Sequence, residues 1–257
     1  MAGARRAGSA AVLELLVFRM IYRSNIKAPD LRSQFAATTI SKIRPWSMGH
    51  EVLSDAICEP DCTFMTDDEA ALLYDCARRL NGEWVDIGSR FGWTSAHIAA
   101  AGAGVICVDP HFSVPELASR FRGNFGVLPR GVRVFDGESI EFFVDLPKLA
   151  EPQFFDGICI DGNHDSPEPL NDARNALAHL KETGVIILHD FWGQPVRDAV
   201  NFLIDAGLKC RIYNTPNGMA VCWRGDFEAP DHKPDPAINW AEVRSGRAPE
   251  FDFGRTI

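Results

Sequence analysis

Short apolar runs alternate with helical periodicities along most of this chain, and the alternation predicts its architecture. Trp84 to Ile87 is the first run, followed by a helical stretch to about Ala100. Gly104 to Asp109 (GVICVD), Val132 to Phe135, Phe154 to Asp161 (FFDGICID) and Val185 to Leu188 are the next four. Continuous apolar segments this short, bounded by turn residues, read as strands buried on both faces. Between them the period changes to that of a helix. Ser113-Val114-Pro115-Glu116 opens one helix, and Leu170, Ala173, Leu177 and Leu180 share a face of another that leads to Thr183-Gly184. Pro195 to Ala206 turns Val196, Val200, Leu203 and Ile204 inward and stops at Gly207. Five strand–helix repeats predict a parallel sheet. Leu208 to Tyr213 and Met219 to Trp223, on either side of Asn214-Thr215-Pro216-Asn217-Gly218, predict a closing antiparallel hairpin. The expected class is α/β: a doubly wound, mainly parallel seven-stranded sheet with that hairpin at its C-terminal end.

The flanks break the pattern. An amphipathic helix is expected through about Tyr22, because Glu14 interrupts an apolar stretch too short to span a bilayer. From Ser24 to Phe64 periodicity fades around prolines 29, 45 and 60, with Trp46, Met48 and His50 close together. Two readings stand for this segment, a cover over the active site or a surface wrap with an aromatic anchor. Thr66-Asp67-Asp68-Glu69 then forms a capping box ahead of Ala70, Leu73, Ala77 and Leu80, and Asn81-Gly82 ends that helix. Past Asp226 the chain is rich in Pro, Asp and Gly. The expected organisation is an N-terminal helix and cap (1–65), one central domain (66–225) and an irregular tail (226–257), with helix or tail available for a homo-oligomer contact.

Composition narrows the function classes. The 257 residues are 46% hydrophobic and 24% charged, ordinary for a globular protein with a substantial core. A net charge of −9, from 26 basic and 35 acidic residues, argues against a nucleic-acid partner. No membrane partner is expected either. The seven cysteines are scattered, two of them inside strand-like runs, and read as reduced core residues of a cytoplasmic protein. Cys58 and Cys62 lack the second pair that a zinc site needs.

The candidate chemistry gathers where the strands end. In VDIGSRFGWTS, Asp86 closes the first strand, Gly88 and Gly92 let the backbone turn sharply and approach a ligand, and the helix amides near Thr94 and Ser95 favour negative charge. A nicotinamide or flavin loop wants G-x-G-x-x-G, whereas this one reads G-x-x-x-G behind an acid, which favours a different adenosine ligand. Asp109 lies 21 positions beyond Gly88, where a ribose partner belongs in a doubly wound nucleotide site.

VDIGSRFGWTS resembles the first motif of the class I S-adenosylmethionine-dependent methyltransferases. The resemblance covers roughly Thr66 to Arg224 by order and spacing of motifs and implies a Rossmann-like sheet. It places Asp86, Gly88, Ser89 and Gly92 at the methionine end of the cofactor, Asp109 at the ribose, and Glu138 and Ser139, after the third strand, beside the adenine. The run DGICIDGNHDSPEPLNDARNALAHLKETGVIILHDF is similar to one branch, the metal-associated small-molecule O-methyltransferases and the related cephalosporin-hydroxylase-like proteins. There an acid closing the fourth strand and a pair closing the fifth hold a divalent cation, magnesium or manganese, which by position implies Asp161, His189 and Asp190.

This chain departs from that pattern, with His at 189 and Phe at 191. Magnesium prefers oxygen ligands, and imidazole suits manganese, iron or zinc better, so a site without metal stays open. Methyl transfer needs an acceptor held in line and stripped of its proton, by a metal or by a general base. Asp161, His164 and His189 are the catalytic candidates, the histidines because they titrate in the useful range. Structural alternatives stand beside them: His164 as a helix cap, His189 as a hydrogen-bonded strand end. The expected function is methylation of a small-molecule hydroxyl, of sugar or phenolic type. An NAD-dependent oxidoreductase and a non-catalytic cofactor-binding interaction protein are the rivals.

Overall fold

The structure is a computed structural model that describes residues 67–125, 131–146, 154–213, 215 and 217–231, with two short paired strands at Lys42–Ile43 and Glu51–Val52. The expected N-terminal helix, Cys58 and Cys62, Thr66 and the tail beyond 231 lie outside the described residues.

Seven strands form one sheet: β1 (Glu83–Ile87), β2 (Gly104–Val108), β3 (Val132–Phe135), β4 (Phe155–Ile160), β5 (Leu180–His189), β6 (Lys209–Tyr213) and β7 (Met219–Arg224). Their spatial order is β3-β2-β1-β4-β5-β7-β6, with β7 antiparallel to both of its neighbours and the remaining pairs parallel. The expected mainly parallel sheet with a closing hairpin is therefore the observed one. The order reverses between β1 and β4, the switch point at which open α/β sheets bind ligands.

Helices α1 (Asp67–Arg79), α2 (Trp93–Ala100), α3 (Pro115–Phe125), α4 (Ser139–Asp145), α5 (Glu168–Ala178) and α6 (Gln194–Asp205) cover the two faces. Alternate strand residues feed separate cores. Val185 and Ile187 pack with α1, α2 and α3, whereas Ile186 and Leu188 pack with α4, α5 and α6. Trp84 shows how tightly β1 is fitted. Its indole is fully buried and donates to the carbonyl of Leu80 at 2.9 Å, and a Cβ on Gly157 of β4 would come within 2.4 Å of the ring. Burying such a side chain contributes about 3 kcal/mol, and only a bare backbone leaves room for it.

One element boundary differs from expectation. Leu180 was expected on the helix face before Thr183-Gly184, but it begins β5 and pairs with Phe155, and the ladder shifts register before Gly157. A buried leucine satisfies either period. The pairing decides it, because Phe155 donates its N–H to the carbonyl of His179 at 2.9 Å immediately after α5 ends. At the far edge of the sheet, Arg211 donates to the carbonyls of Ala229 (2.6 Å) and Pro230 (2.9 Å), fastening residues 227–230 against β6. No helix among the described residues is long and apolar enough to cross a membrane.

Candidate active site at the carboxyl edge of the sheet

The β1–α2 loop and the end of β4 touch through bare backbone. Gly88 has φ +85°, and a Cβ there would lie 2.2 Å from the carbonyl oxygen of Asp161. Gly92, at φ +86° just before α2, likewise has no room, since Phe121 and Phe125 fill the space a Cβ would take. Both are left-handed conformations that glycine adopts at little cost. Arg90 is left-handed as well (φ +43°), and its N–H donates to Asp109 Oδ2 at 2.7 Å, so β2 holds the loop in shape.

A cleft of about 940 Å³ opens along this edge. Gly88, Ser89, Asp109, Glu138, Ser139, Asp161, His164, His189 and Asp190 all line it. Two expected cofactor residues are placed otherwise. Gly92 shapes the start of α2 behind the lining. Asp86 is fully buried behind the loop: one carboxylate oxygen accepts from Ser95, the other has no hydrogen-bond partner, and the carboxylate does not reach the cleft. Strand alternation is the reason, since Asp86 shares its face with Cys107 of β2, which donates to Ser95 at 3.1 Å. Burial pushes the Asp86 carboxyl up to about 7, although the hydrogen bond from Ser95 opposes the rise.

Asp109 is buried at the cleft wall, where its Oδ1 accepts from the His111 backbone (2.8 Å) and faces His111 Nδ1 at 2.7 Å. Further along, Glu138 is the N-cap of α4 and shares a capping box with Glu141, whose carboxylate accepts from the Glu138 N–H at 2.9 Å. Ser139 donates to Asp172 of α5.

At the other end of the cleft stands a cluster of acids and histidines. Asp161, His164 and Asp190 each offer a ligand atom, and those atoms lie within 4.8 Å of one another. His164 Nε2 is 3.6 Å from Asp161 and 3.4 Å from Asp190, ion-pair distances at which that nitrogen has no hydrogen-bond partner. Asp190 is held at φ +56°, an uncommon conformation for a residue with a side chain, which turns it out of β5.

His189 lies beside the group formed by Asp161, His164 and Asp190 and not within it. Its ring is buried, with Nδ1 3.1 Å from Asp161 and Nε2 3.2 Å from Glu69 of α1. Burial alone would lower its pKa, but Asp161, Asp190 and Glu69 surround it and raise it well above the ordinary histidine value. A carboxylate stands near each of its ring nitrogens, which ties the ring into a buried ion-paired chain from Glu69 to Asp161. The loop residue His164 takes its place in the cluster. Asp161 in turn is held well below the usual carboxylate range, because His189 and His164 together overcome the opposing effect of burial.

Two residues of the site escaped the sequence reading. Glu69, read from the sequence only as part of a capping box, is fully buried, accepts from the Asn217 backbone N–H at 3.1 Å and faces His189. Asp172 lines the cleft from α5. The available signal was an acid at a core-face position of a helix: Glu69 stands in register with Leu72, Leu73 and Cys76, and Asp172 with Pro169, Ala173 and Ala176. His97 and His179 make structural contacts, His97 Nδ1 lying 2.9 Å from the Trp93 carbonyl and His179 stacking on Phe143 at 5.5 Å.

Residues 85–191 match the family model of a methyltransferase domain. No curated protein matches the chain by sequence. Among solved structures, the SAH-bound Podospora anserina methyltransferase PaMTH1 has a TM-score of 0.57 at 14% identity, over 88% of this chain and 100% of that one. The O-methyltransferase TomG of Streptomyces achromogenes, involved in tomaymycin synthesis and solved with SAM, has a TM-score of 0.56 at 18% identity, over 78% and 92%. An O-methyltransferase of Bacillus cereus in complex with SAH has a TM-score of 0.55 at 14% identity, over 76% and 88%. At these identities the likeness is one of fold. Residues 85–191 are thus a methyltransferase domain, set in a Rossmann-like methyltransferase fold.

Proposed function

We propose that this enzyme methylates a hydroxyl oxygen of a small molecule, sugar or phenolic in type, bound beside Asp161, His164 and Asp190. The observation that carries the reading is the contact between the Gly88 backbone and Asp161, which sets a methyl-donor loop against a cluster of acids and imidazole. Ser89 and the neighbouring loop amides bind the methionine end of S-adenosylmethionine, and Asp109 has carboxylate lone pairs left for the ribose hydroxyls.

The cluster fits a divalent cation. Two carboxylates and one imidazole converge, and the His164 Nε2 that faces both acids has no hydrogen-bond partner. This donor set favours manganese or a similar metal over magnesium. S-adenosylmethionine would supply a methyl already activated by its sulfonium, and Asp161, His164 and Asp190 would hold the cation, which would supply the polarisation that makes an acceptor hydroxyl acidic. His189 keeps Asp161 ionised and oriented, with Glu69 bracing it from behind. The small-molecule scale follows from a cleft of about 940 Å³.

Calorimetry tests both layers. S-adenosylhomocysteine should release heat on binding and NAD should not, and the reverse would overturn the methyltransferase reading. Mn2+ should bind the wild type and fail to bind Asp161→Asn or Asp190→Asn. If the wild type takes up no metal and turnover survives chelator but is lost in His164→Ala, the role of His164 becomes that of a general base.

A further inference from the structure

The hairpin that closes the sheet carries a pair of thiols outside the cleft. Cys210 of β6 and Cys222 of β7 stand directly opposite each other in the antiparallel ladder. Both are fully buried on the face covered by α4, α5 and α6, and both are free, Cys222 Sγ donating to Cys210 Sγ at 2.9 Å. The other cysteines among the described residues, Cys76, Cys107 and Cys159, belong to the core on the opposite face. Each member of the pair thus has the other as its neighbouring thiol.

The backbone here already suits a covalent bridge. Residues facing each other in an antiparallel ladder hold their Cα atoms about 4.5 or 5.5 Å apart, depending on the ladder position. A disulfide spans about 4.4–6.8 Å between Cα atoms, so either position serves. The two Cβ atoms leave the same face of the sheet, and joining the sulfurs asks for side-chain rotation with the strands kept in register.

We propose that Cys210 and Cys222 form a site of reversible oxidation, closed to a disulfide by hydrogen peroxide, that staples the β6–β7 hairpin. One sulfur, as thiolate, attacks the O–O bond and becomes a sulfenic acid, while the departing hydroxide takes up the proton and leaves as water. The second thiol attacks that sulfur, forming the S–S bond and releasing a second water. Two thiols and one peroxide become one disulfide and two waters, the sulfurs giving up the two electrons that the peroxide gains. Burial and the neighbouring thiol hold the Cys222 pKa well above that of an ordinary thiol, which slows attack while the sheet is closed. β6 is the last strand of the sheet, and a strand paired on one side opens more readily than a central one. The turn between the two strands carries Asn217, which lines the cleft and donates to Glu69 from its backbone at 3.1 Å and from Nδ2 at 3.2 Å. Oxidation thus stiffens the wall of the cleft beside His189.

The test treats the reduced full-length protein with hydrogen peroxide, in buffer and in mild urea that opens β6, and then alkylates the remaining thiols under denaturing conditions. Trypsin, cutting after Lys209, Arg211 and Arg224 without reductant, leaves the dipeptide Cys210-Arg211 and the peptide from Ile212 to Arg224. These should be recovered as one linked species, two hydrogens lighter than the two together, that separates on reduction. The oxidised protein should melt about 5–10 °C above the reduced form, because the bridge closes a short loop in the unfolded chain. Cys210→Ala and Cys222→Ala, each compared with its own reduced form, should show no such rise, so any packing loss in the variants cancels. Recovery of Cys210 and Cys222 as alkylated thiols under both conditions, or a linked species whose melting midpoint is no higher, overturns the proposal.

Discussion

Replacing Asp86 by asparagine should stabilise the folded protein at pH 8 and leave it nearly unchanged at pH 5. Asp86 is fully buried in β1 with one oxygen unpartnered, and burial moves its pKa from an ordinary 3.8 to about 7. The folded state thus holds the proton more tightly than the unfolded chain. The resulting stability is fully present below pH 3.8, is lost as pH rises toward 7, and stays lost above it. At about 1.36 kcal/mol per pH unit the change from 3.8 to about 7 amounts to roughly 4 kcal/mol. Asparagine does not titrate, and its amide oxygen can keep the hydrogen bond from Ser95. Its amide N–H2 then faces the unpartnered position, at a cost of about 1–3 kcal/mol. The net gain at pH 8 is on the order of 1–3 kcal/mol, shrinking toward zero at pH 5. Urea denaturation at both pH values, with chelator and no cofactor, measures it. Asp172 titrates in the same range but is present in both proteins, so it cancels. A variant that gains no more at pH 8 than at pH 5 would refute the account of Asp86 as a carboxylate ionised against burial.

Two further predictions concern packing and the buried ion chain. Gly157→Ala would drive a methyl to 2.4 Å from the Trp84 ring and should cost about 1–3 kcal/mol; an unchanged urea midpoint would show that β1 and β4 are not so closely fitted. Glu69→Ala removes the carboxylate 3.2 Å from His189 Nε2 and the hydrogen bonds to Asn217. Breaking a buried pair from one side should cost about 3–5 kcal/mol, read as a lower denaturation midpoint, and wild-type stability in that variant would show that His189 is not a cation held in this way.

The strands and the nucleotide-type loop were legible in the sequence because they depend on local chemistry. Runs such as GVICVD and FFDGICID are too short and too apolar for anything but buried parallel strands. Gly88 and Gly92 stand where φ is positive. Asp109, Asp161, His164 and Asp190 could be assigned to the carboxyl edge because strand ends in a parallel sheet share one edge. The identity of the ligand atoms there was less accessible. Positional reasoning paired His189 with Asp161 and Asp190 at a cation, and it could not see Glu69, 120 positions earlier in the chain, approaching the far side of the ring.

The sequence by itself determined the alternation of elements, the sheet class, the glycine loop after β1 and the edge on which the acids and histidines gather, since each follows from period, glycine placement and strand order. Only the tertiary structure decided which way each polar side chain at that edge turns. Asp86 faces Ser95 rather than the cleft, His189 is enclosed between Glu69 and Asp161, and Asp172 reaches the cleft from a helix face otherwise given to the core. These outcomes depend on contacts between segments far apart in sequence, where burial, charge and hydrogen-bond geometry act together and no local pattern records the result.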